Sequence, residues 1–142
     1  MAEFLGAPYP IISTSRGLLA TQSNINQIKS DLLCLLLTNP GERVMLPTFG
    51  TPLRQLVFEQ NDSILVQTAT DMISTAIKTW EPRVTIEQIN INVGADNINL
   101  NSSDLQQDLE HILSIQIVFF DPENIKSLQS LTLEVPLATQ GA

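Results

Sequence analysis

The residues of this chain whose types and spacing carry chemical meaning are three glutamates and two arginines: Glu81 and Arg83 on either side of Pro82, the adjacent pair Glu42-Arg43, and Glu59. Two carboxyls facing each other across a cleft, one kept protonated by burial, would hydrolyse a glycosidic bond, and Glu81 with Glu42 or Glu59 are the candidate pairs. The neighbouring cations argue against this, because Arg83 two residues from Glu81 and Arg43 beside Glu42 would lower an acid's pKa rather than raise it. Side chains that could stack on a sugar are also scarce, with one Trp, one Tyr and five Phe. Recognition suits the same residues better. Pro82 fixes φ and so limits how Glu81 and Arg83 are aimed. Arg83 can then form a bidentate bond to a partner carboxylate, or to Glu81 or Glu42 in a network that shapes the surface. Trp80 beside them is an apolar anchor of the kind that dominates interface energetics. The plainer readings are a helix stop with two solvated charges at Glu81-Pro82-Arg83 and a helix C-terminal turn at Gly41-Glu42-Arg43.

No other cluster calls for a reaction or a cofactor. His111, the sole histidine, has no serine, cysteine or metal-ligand neighbour at a recognised spacing. Asp104, Asp108 and Glu110 lack the ligand spacing and turn glycine of a calcium loop and read as a solvated acidic loop. No phosphate loop and no G-x-G-x-x-G occur. Cys34 is the only cysteine, which excludes an intramolecular disulfide and a Cys-based zinc site and fits a reducing cytosol. The expectation is therefore no catalytic residue, no metal and no cofactor. Fifteen acidic against seven basic residues give a formal charge of -8. A surface that acidic repels phosphate backbones and anionic lipid, so neither nucleic acid nor membrane is an expected partner. Arg16, Arg43, Arg54 and Arg83 can still meet an acidic protein locally. The longest apolar run, Leu32 to Leu37, is too short to span a bilayer, and Met1-Ala2-Glu3 lacks a basic signal-peptide start.

The elements that must position these residues follow from periodicity. With 142 residues, 43% of them hydrophobic, the chain has material for one core in a single domain, 1–142. Residues 1–22 read as an extended arm and a short hairpin around Ser15-Arg16-Gly17. Residues 23–80 form a helical half. Ser23 caps a helix from Asn24 to Leu37, on which Ile25, Ile28, Leu32, Leu35 and Leu36 recur at helical spacing and Leu33 and Leu37 widen the stripe. A stripe that wide fits a deep core or a partner helix. Gly41 to Gly50 is a loop pinned by Val44, Met45 and Phe49, and this loop would bring Arg43 within a short carboxylate–guanidinium distance of Glu81. Thr51-Pro52 starts a short helix through Phe58. Asn61-Asp62-Ser63 caps a longer one carrying Val66, Ala69, Ile73, Ala76, Ile77 and Trp80, which Pro82 ends.

The sheet half spans residues 83–136. Val84 and Ile86 lie on one parity and Ile89, Ile91 and Val93 on the other, so one extra residue near Glu87-Gln88, a β-bulge, is needed to bring all five to one face. Gly94 to Asn97 is a turn and Asn99 to Asp108 a surface loop. Leu113, Ile115, Ile117 and Phe119 mark a second strand, apolar on both faces near its end. Leu131, Leu133 and Val135 mark a third, before Pro136 and a soft tail. The fold class is α+β: N-terminal helices packed on a small antiparallel sheet of about three C-terminal strands, plus a short N-terminal hairpin.

As an ordered set, Leu36-Leu37-Thr38-Asn39-Pro40-Gly41-Glu42-Arg43-Val44-Met45, Pro47-Thr48-Phe49-Gly50, Phe58-Glu59 and Trp80-Glu81-Pro82-Arg83-Val84 are similar to one family. It is the small baseplate wedge subunit of contractile-tailed phages, a lysozyme-like baseplate family that includes the TssE-type component of type VI secretion systems. The resemblance implies a structural subunit of the inner baseplate that joins larger wedge subunits in a core bundle around the tail hub. It further implies a sheet that templates the first sheath ring by strand interlocking. The implied partners are other baseplate wedge subunits, the tail sheath subunit and tail tube or hub proteins. The implied location is the virion's tail baseplate, assembled in the host cytoplasm. Trp80, Glu81, Pro82, Arg83, Glu42 and Arg43 become the partner-binding residues, with Arg83 the one whose loss damages assembly most. The alternatives are a lysozyme-like peptidoglycan hydrolase, the equivalent subunit of another contractile injection system, and a soluble adaptor outside tail machines.

Overall fold

The computed structural model describes residues 5–58, 63–93 and 112–136. Two short strands, β1 (Leu5–Gly6) and β2 (Gln22–Ser23), pair antiparallel and close the base of an N-terminal arm. Helix α1 (Asn24–Leu37) follows at once, then a 3-10 helix (Leu53–Phe58), helix α2 (Ser63–Trp80), and strands β3 (Thr85–Val93), β4 (Ile112–Phe120) and β5 (Leu128–Pro136). The three long strands form one antiparallel sheet in the order β3-β4-β5. This is the expected α+β arrangement with its small N-terminal hairpin.

Helical spacing explains α1 and α2. In α1, Ile28, Leu32, Leu35 and Leu36 are buried, and Ile25, Leu33 and Leu37 pack on the same core from its flanks. In α2 the buried row is Leu65, Ala69, Ile73, Ala76 and Ile77. Leu65 joins the stripe read from the sequence, and Val66 and Trp80 of that stripe are partly buried against the same core. The caps differ from expectation. Ser23 makes no side-chain cap bond, since its backbone belongs to β2, paired with Leu5, and Asn24 enters the helix at φ +56. Thr51 is fully buried and donates its hydroxyl to the Leu35 carbonyl of α1 at 3.3 Å, so it ties the loop to that helix ahead of a tighter 3-10 turn. The expected cap at Asn61-Asp62 lies outside the described residues, as do Glu59, Gly94 to Asn97, the loop from Asn99 to Asp108 with Asp104, then Glu110, His111 and the tail beyond Pro136.

The sheet turns one face to the helices. Leu113, Ile115, Ile117 and Phe119 of β4 are fully buried, and Leu131, Leu133 and Val135 of β5 lie beside them. The expected bulge is present: Ile86 pairs with Phe119 and Gln88 with Val118, which leaves Glu87 over. After that extra residue, Ile89 and Ile91 stand opposite Ile117 and Ile115, so Val84, Ile86, Ile89 and Ile91 all pack against one core. Each such side chain taken fully from water contributes about 1.5–3 kcal/mol, which is what holds the altered register. The outer face is polar along Gln88, Asn92, Gln116, Thr132 and Glu134, and turns apolar toward the β4–β5 connection at Val118, Phe120 and Leu128.

The segment Gly41 to Gly50 is a loop, but its anchors differ from those expected. Val44 and Met45 are 92% and 88% exposed, while Phe49 alone of the three packs inward. The backbone holds the loop instead. Gly41 N–H donates to the Pro47 carbonyl at 2.7 Å, and Thr51 N–H to the Thr38 carbonyl at 2.9 Å. Gly50 sits at φ +122, where a Cβ would stand 2.3 Å from the Thr38 oxygen. Only glycine fits that close approach.

Candidate partner-binding site at the helix–sheet corner

The chain turns from α2 into β3 over Trp80-Glu81-Pro82-Arg83, and each residue there has a local cause. Glu81 N–H still donates to the Ile77 carbonyl at 2.8 Å and completes the last helical turn. Pro82 has no N–H to continue the ladder and disfavours the helical conformation at Glu81. Val84 N–H then bonds back to the Glu81 carbonyl at 3.2 Å, forming a tight turn that leaves Pro82 exposed. Glu81 is buried, at 7% exposure.

A buried carboxylate must be paired or neutralised, and Arg83 pairs it. Its guanidinium forks onto Glu81, Nε to Oε1 and Nη2 to Oε2, the latter at 2.8 Å. Nη2 also meets Oδ2 of Asp31 in α1 at 3.1 Å. The other oxygen of Asp31 accepts from Gln27 Nε2 at 2.8 Å. Hydrogen bonding to Glu81 foremost, then the negative charge of Glu81 and the bond to Asp31, raise the Arg83 pKa above its ordinary value, against the opposing effect of burial. The charge-assisted fork thus clamps helix end, turn and strand start to the middle of α1. Of the partners considered for Arg83 within the chain, the structure selects Glu81. Glu42 is elsewhere: it accepts from the backbone N–H of Asn39 at 3.0 Å and pairs with Arg54 at 3.4 Å.

Arg43 reaches the corner by another route. Its guanidinium lies over the Phe49 ring, 4.7 Å from the centroid. Phe49 in turn meets Trp80 edge to face at 5.2 Å. No ion pair joins Arg43 to Glu81 in the structure; the link is a cation–aromatic–aromatic stack. The expected proximity is present and the expected short distance is not. Asp31, Cys34, Leu35, Thr38, Arg43, Phe49, Trp80 and Glu81 together line an open cavity of about 480 Å³ between α1, the loop and the corner. Burial, and then the Asp31 charge, push the Cys34 thiol up, with Arg43 opposing. Sequence reasoning missed Asp31, which lies 52 residues from Arg83; its only signal was an acid on the face of α1 four residues from Gln27.

The arrangement offers a rigid, charge-balanced surface with aromatic walls. Arg83 bonds to both Glu81 and Asp31 and so links the two carboxylates. Among the described residues, no three His, Cys, Asp or Glu side chains gather as metal ligands, and no helix is long and apolar enough to cross a membrane.

Several solved structures share this fold. A Geobacter sulfurreducens protein described as a tail lysozyme is 19% identical, with a TM-score of 0.64 over 92% of this chain and 98% of its own. A chain of the anti-feeding prophage baseplate is 15% identical, with a TM-score of 0.62 over 97% of this chain and 89% of its own. A chain of the baseplate complex from the type VI secretion system is 16% identical, with a TM-score of 0.55 over 80% and 93%. At such identities the likeness concerns the fold. Among curated protein sequences none matches. The family model described as baseplate wedge protein gp25 matches residues 22–119, which contain both helices, the corner, β3 and nearly all of β4. That match spans more than half of the chain, and the protein belongs to the baseplate wedge protein gp25 family.

Proposed function

We propose that this baseplate protein is a non-enzymatic structural subunit of the inner baseplate of a contractile phage tail or a related injection system. It joins neighbouring wedge subunits through the Trp80–Arg83 corner. The observation that carries the reading is the fork of Arg83 onto Glu81 with Asp31 as the third member. A corner locked in advance loses little conformational freedom when a partner docks on it, and preorganisation of that kind favours affinity. Because the fork is occupied within the chain, the partner meets the surface that the network shapes, chiefly Trp80, Pro82 and the Arg43–Phe49 stack. The sheet supports a second contact. Among the described residues β5 pairs with β4 alone, and an open edge accepts an added strand. In this reading the tail sheath subunit supplies that strand, which templates the first sheath ring, and tail tube or hub proteins lie nearby.

The fold shared with a chain described as a tail lysozyme favours a second reading, a peptidoglycan hydrolase. The corner speaks against it, since both oxygens of Glu81 accept from Arg83, so that this carboxyl is engaged within the chain rather than presented to a substrate. The separating experiment is co-expression with baseplate wedge proteins from the same genome, comparing wild type with Arg83→Ala and Glu81→Gln. Loss of incorporation without cell-wall activity in any form is the expected result. Peptidoglycan turnover by the wild type that vanishes in Glu81→Gln would overturn the structural reading.

A further inference from the structure

The N-terminal arm has an unusual surface. Every residue from Tyr9 to Leu19 is exposed, although Pro8 just before them is buried. A narrow ribbon forms here: Thr14 N–H donates to the Leu18 carbonyl at 2.6 Å, Ser13 bridges Leu19, and Ala20 N–H donates to the Ile12 carbonyl at 2.9 Å. Strand alternation puts Ile12 and Leu18 on one face and Ile11 and Leu19 on the other. All four are more than half exposed. Between Leu5 and Ile28 the only charged residue is Arg16, at the turn, and the whole negative charge of the protein lies outside this stretch. A lone two-stranded ribbon is marginally stable in water, and one that is apolar on both faces needs cover on both.

The root of the arm is built into the corner's support. Gly6 of β1 sits against Gln27, so close that a Cβ would stand 2.4 Å from its Nε2. Gln27 holds Asp31, and Asp31 holds Arg83. Ser30 donates to Gln22 of β2 at 2.9 Å. Residues four apart share a helix face, so arm and corner are mounted on one side of α1. The ribbon is small, about 17 Å long and 10 Å wide, or about 170 Å² of footprint per face. A stable interface needs about 800 Å² per partner, so the arm adds to a contact made elsewhere on the chain rather than holding a second copy alone. A lipid surface fits poorly, because Arg16 leads the ribbon and an ion is costly in the bilayer.

We propose that the arm inserts between two apolar surfaces of the same wedge protein that docks on the Trp80–Arg83 corner, with Arg16 meeting a carboxylate at the end of that cleft. This rests on the corner reading and adds a second point of attachment to it. The test uses the full chain co-expressed with baseplate wedge proteins from the same genome. The combined variant Ile11→Ser/Ile12→Ser/Leu18→Ser/Leu19→Ser is expected to melt with the wild type and to be recovered in the complex at least about tenfold less. Arg16→Glu should lower recovery and Arg16→Lys preserve it. Full recovery of the combined variant while Arg83→Ala fails would overturn the arm inference and leave the corner standing. Normal recovery of Arg83→Ala while the combined variant fails would remove the corner reading, and the shared partner with it. Self-association of the isolated wild type that the combined variant abolishes, or arm-dependent binding of the wild type to phosphatidylcholine vesicles, would also overturn the proposal.

Discussion

Among the described residues Arg83 has two carboxylate partners, and removing it leaves the Glu81 carboxylate, whose side chain is only 9% exposed, without its fork beside a guanidinium site that is 32% exposed. Breaking a buried pair costs about 3–5 kcal/mol, and the exposure of Arg83 brings the expectation for Arg83→Ala to about 2 kcal/mol. Arg83→Lys keeps the charge but not the fork and should lose about half as much. Equilibrium urea unfolding of both variants measures this, and a smaller loss in an Asp31→Asn background than in wild type would identify Asp31 as part of the network. Cys34 makes a separate prediction. Its thiol is raised above the ordinary 9.0 in the folded chain by burial and then by Asp31. Its contribution is therefore complete below the unfolded value and is lost as pH climbs through the folded one, so stability falls above about pH 9. Cys34→Ser should show a shallower decline between neutral and alkaline melts. The local part of the site, Glu81-Pro82-Arg83 with Trp80, was legible because a proline between two charges constrains its neighbours whatever the fold. Asp31 was not legible, because only the packing of α1 against the corner brings it to Arg83.

Among the elements, the helices and strands could be read from periodicity because each buries one face, and the bulge because the strand's apolar residues change parity at Glu87. The loop was misread at Val44 and Met45: apolar character implied burial, whereas backbone hydrogen bonds and Gly50 hold that segment without them. Gly50→Ala, which sets a Cβ against the Thr38 oxygen at a positive φ, is expected to cost at least about 3 kcal/mol. Gly17→Ala meets open space at φ +74 and should cost only about 1 kcal/mol. Thermal melts of the two separate steric clash from backbone preference. Deleting Glu87 would turn Val84 and Ile86 toward the polar face and forfeit about 3–5 kcal/mol of burial, whereas Glu87→Ala, at an exposed position, should lie within about 0.5 kcal/mol of wild type. Soluble yield and denaturant midpoint distinguish those outcomes.

At the scale of the whole molecule, helices cover one face of a three-stranded sheet, the corner joins the two halves, and the arm and the outer edge of β5 reach away from the core. Placing lysines on β5 with Thr132→Lys/Glu134→Lys should discourage strand addition. Wedges carrying that variant are expected to assemble normally and to start sheath polymerisation after a lag roughly twice as long, read by light scattering. An unchanged lag would remove the sheath role while leaving the wedge role intact. This larger picture was legible in outline, since helices followed by alternating strands leave few architectures, but the exposure of the arm emerges only once the core is seen to close without it. The leftover residue at Glu87 matters here in a mechanical sense. A regular ladder under tension can creep by a step and re-form, but one that holds an unmatched residue on one side has a single setting, because sliding β3 along β4 would strip Ile86 and Ile89 from the core together. A machine that pulls on this sheet through β5 would be pulling on a strand pair that cannot ratchet.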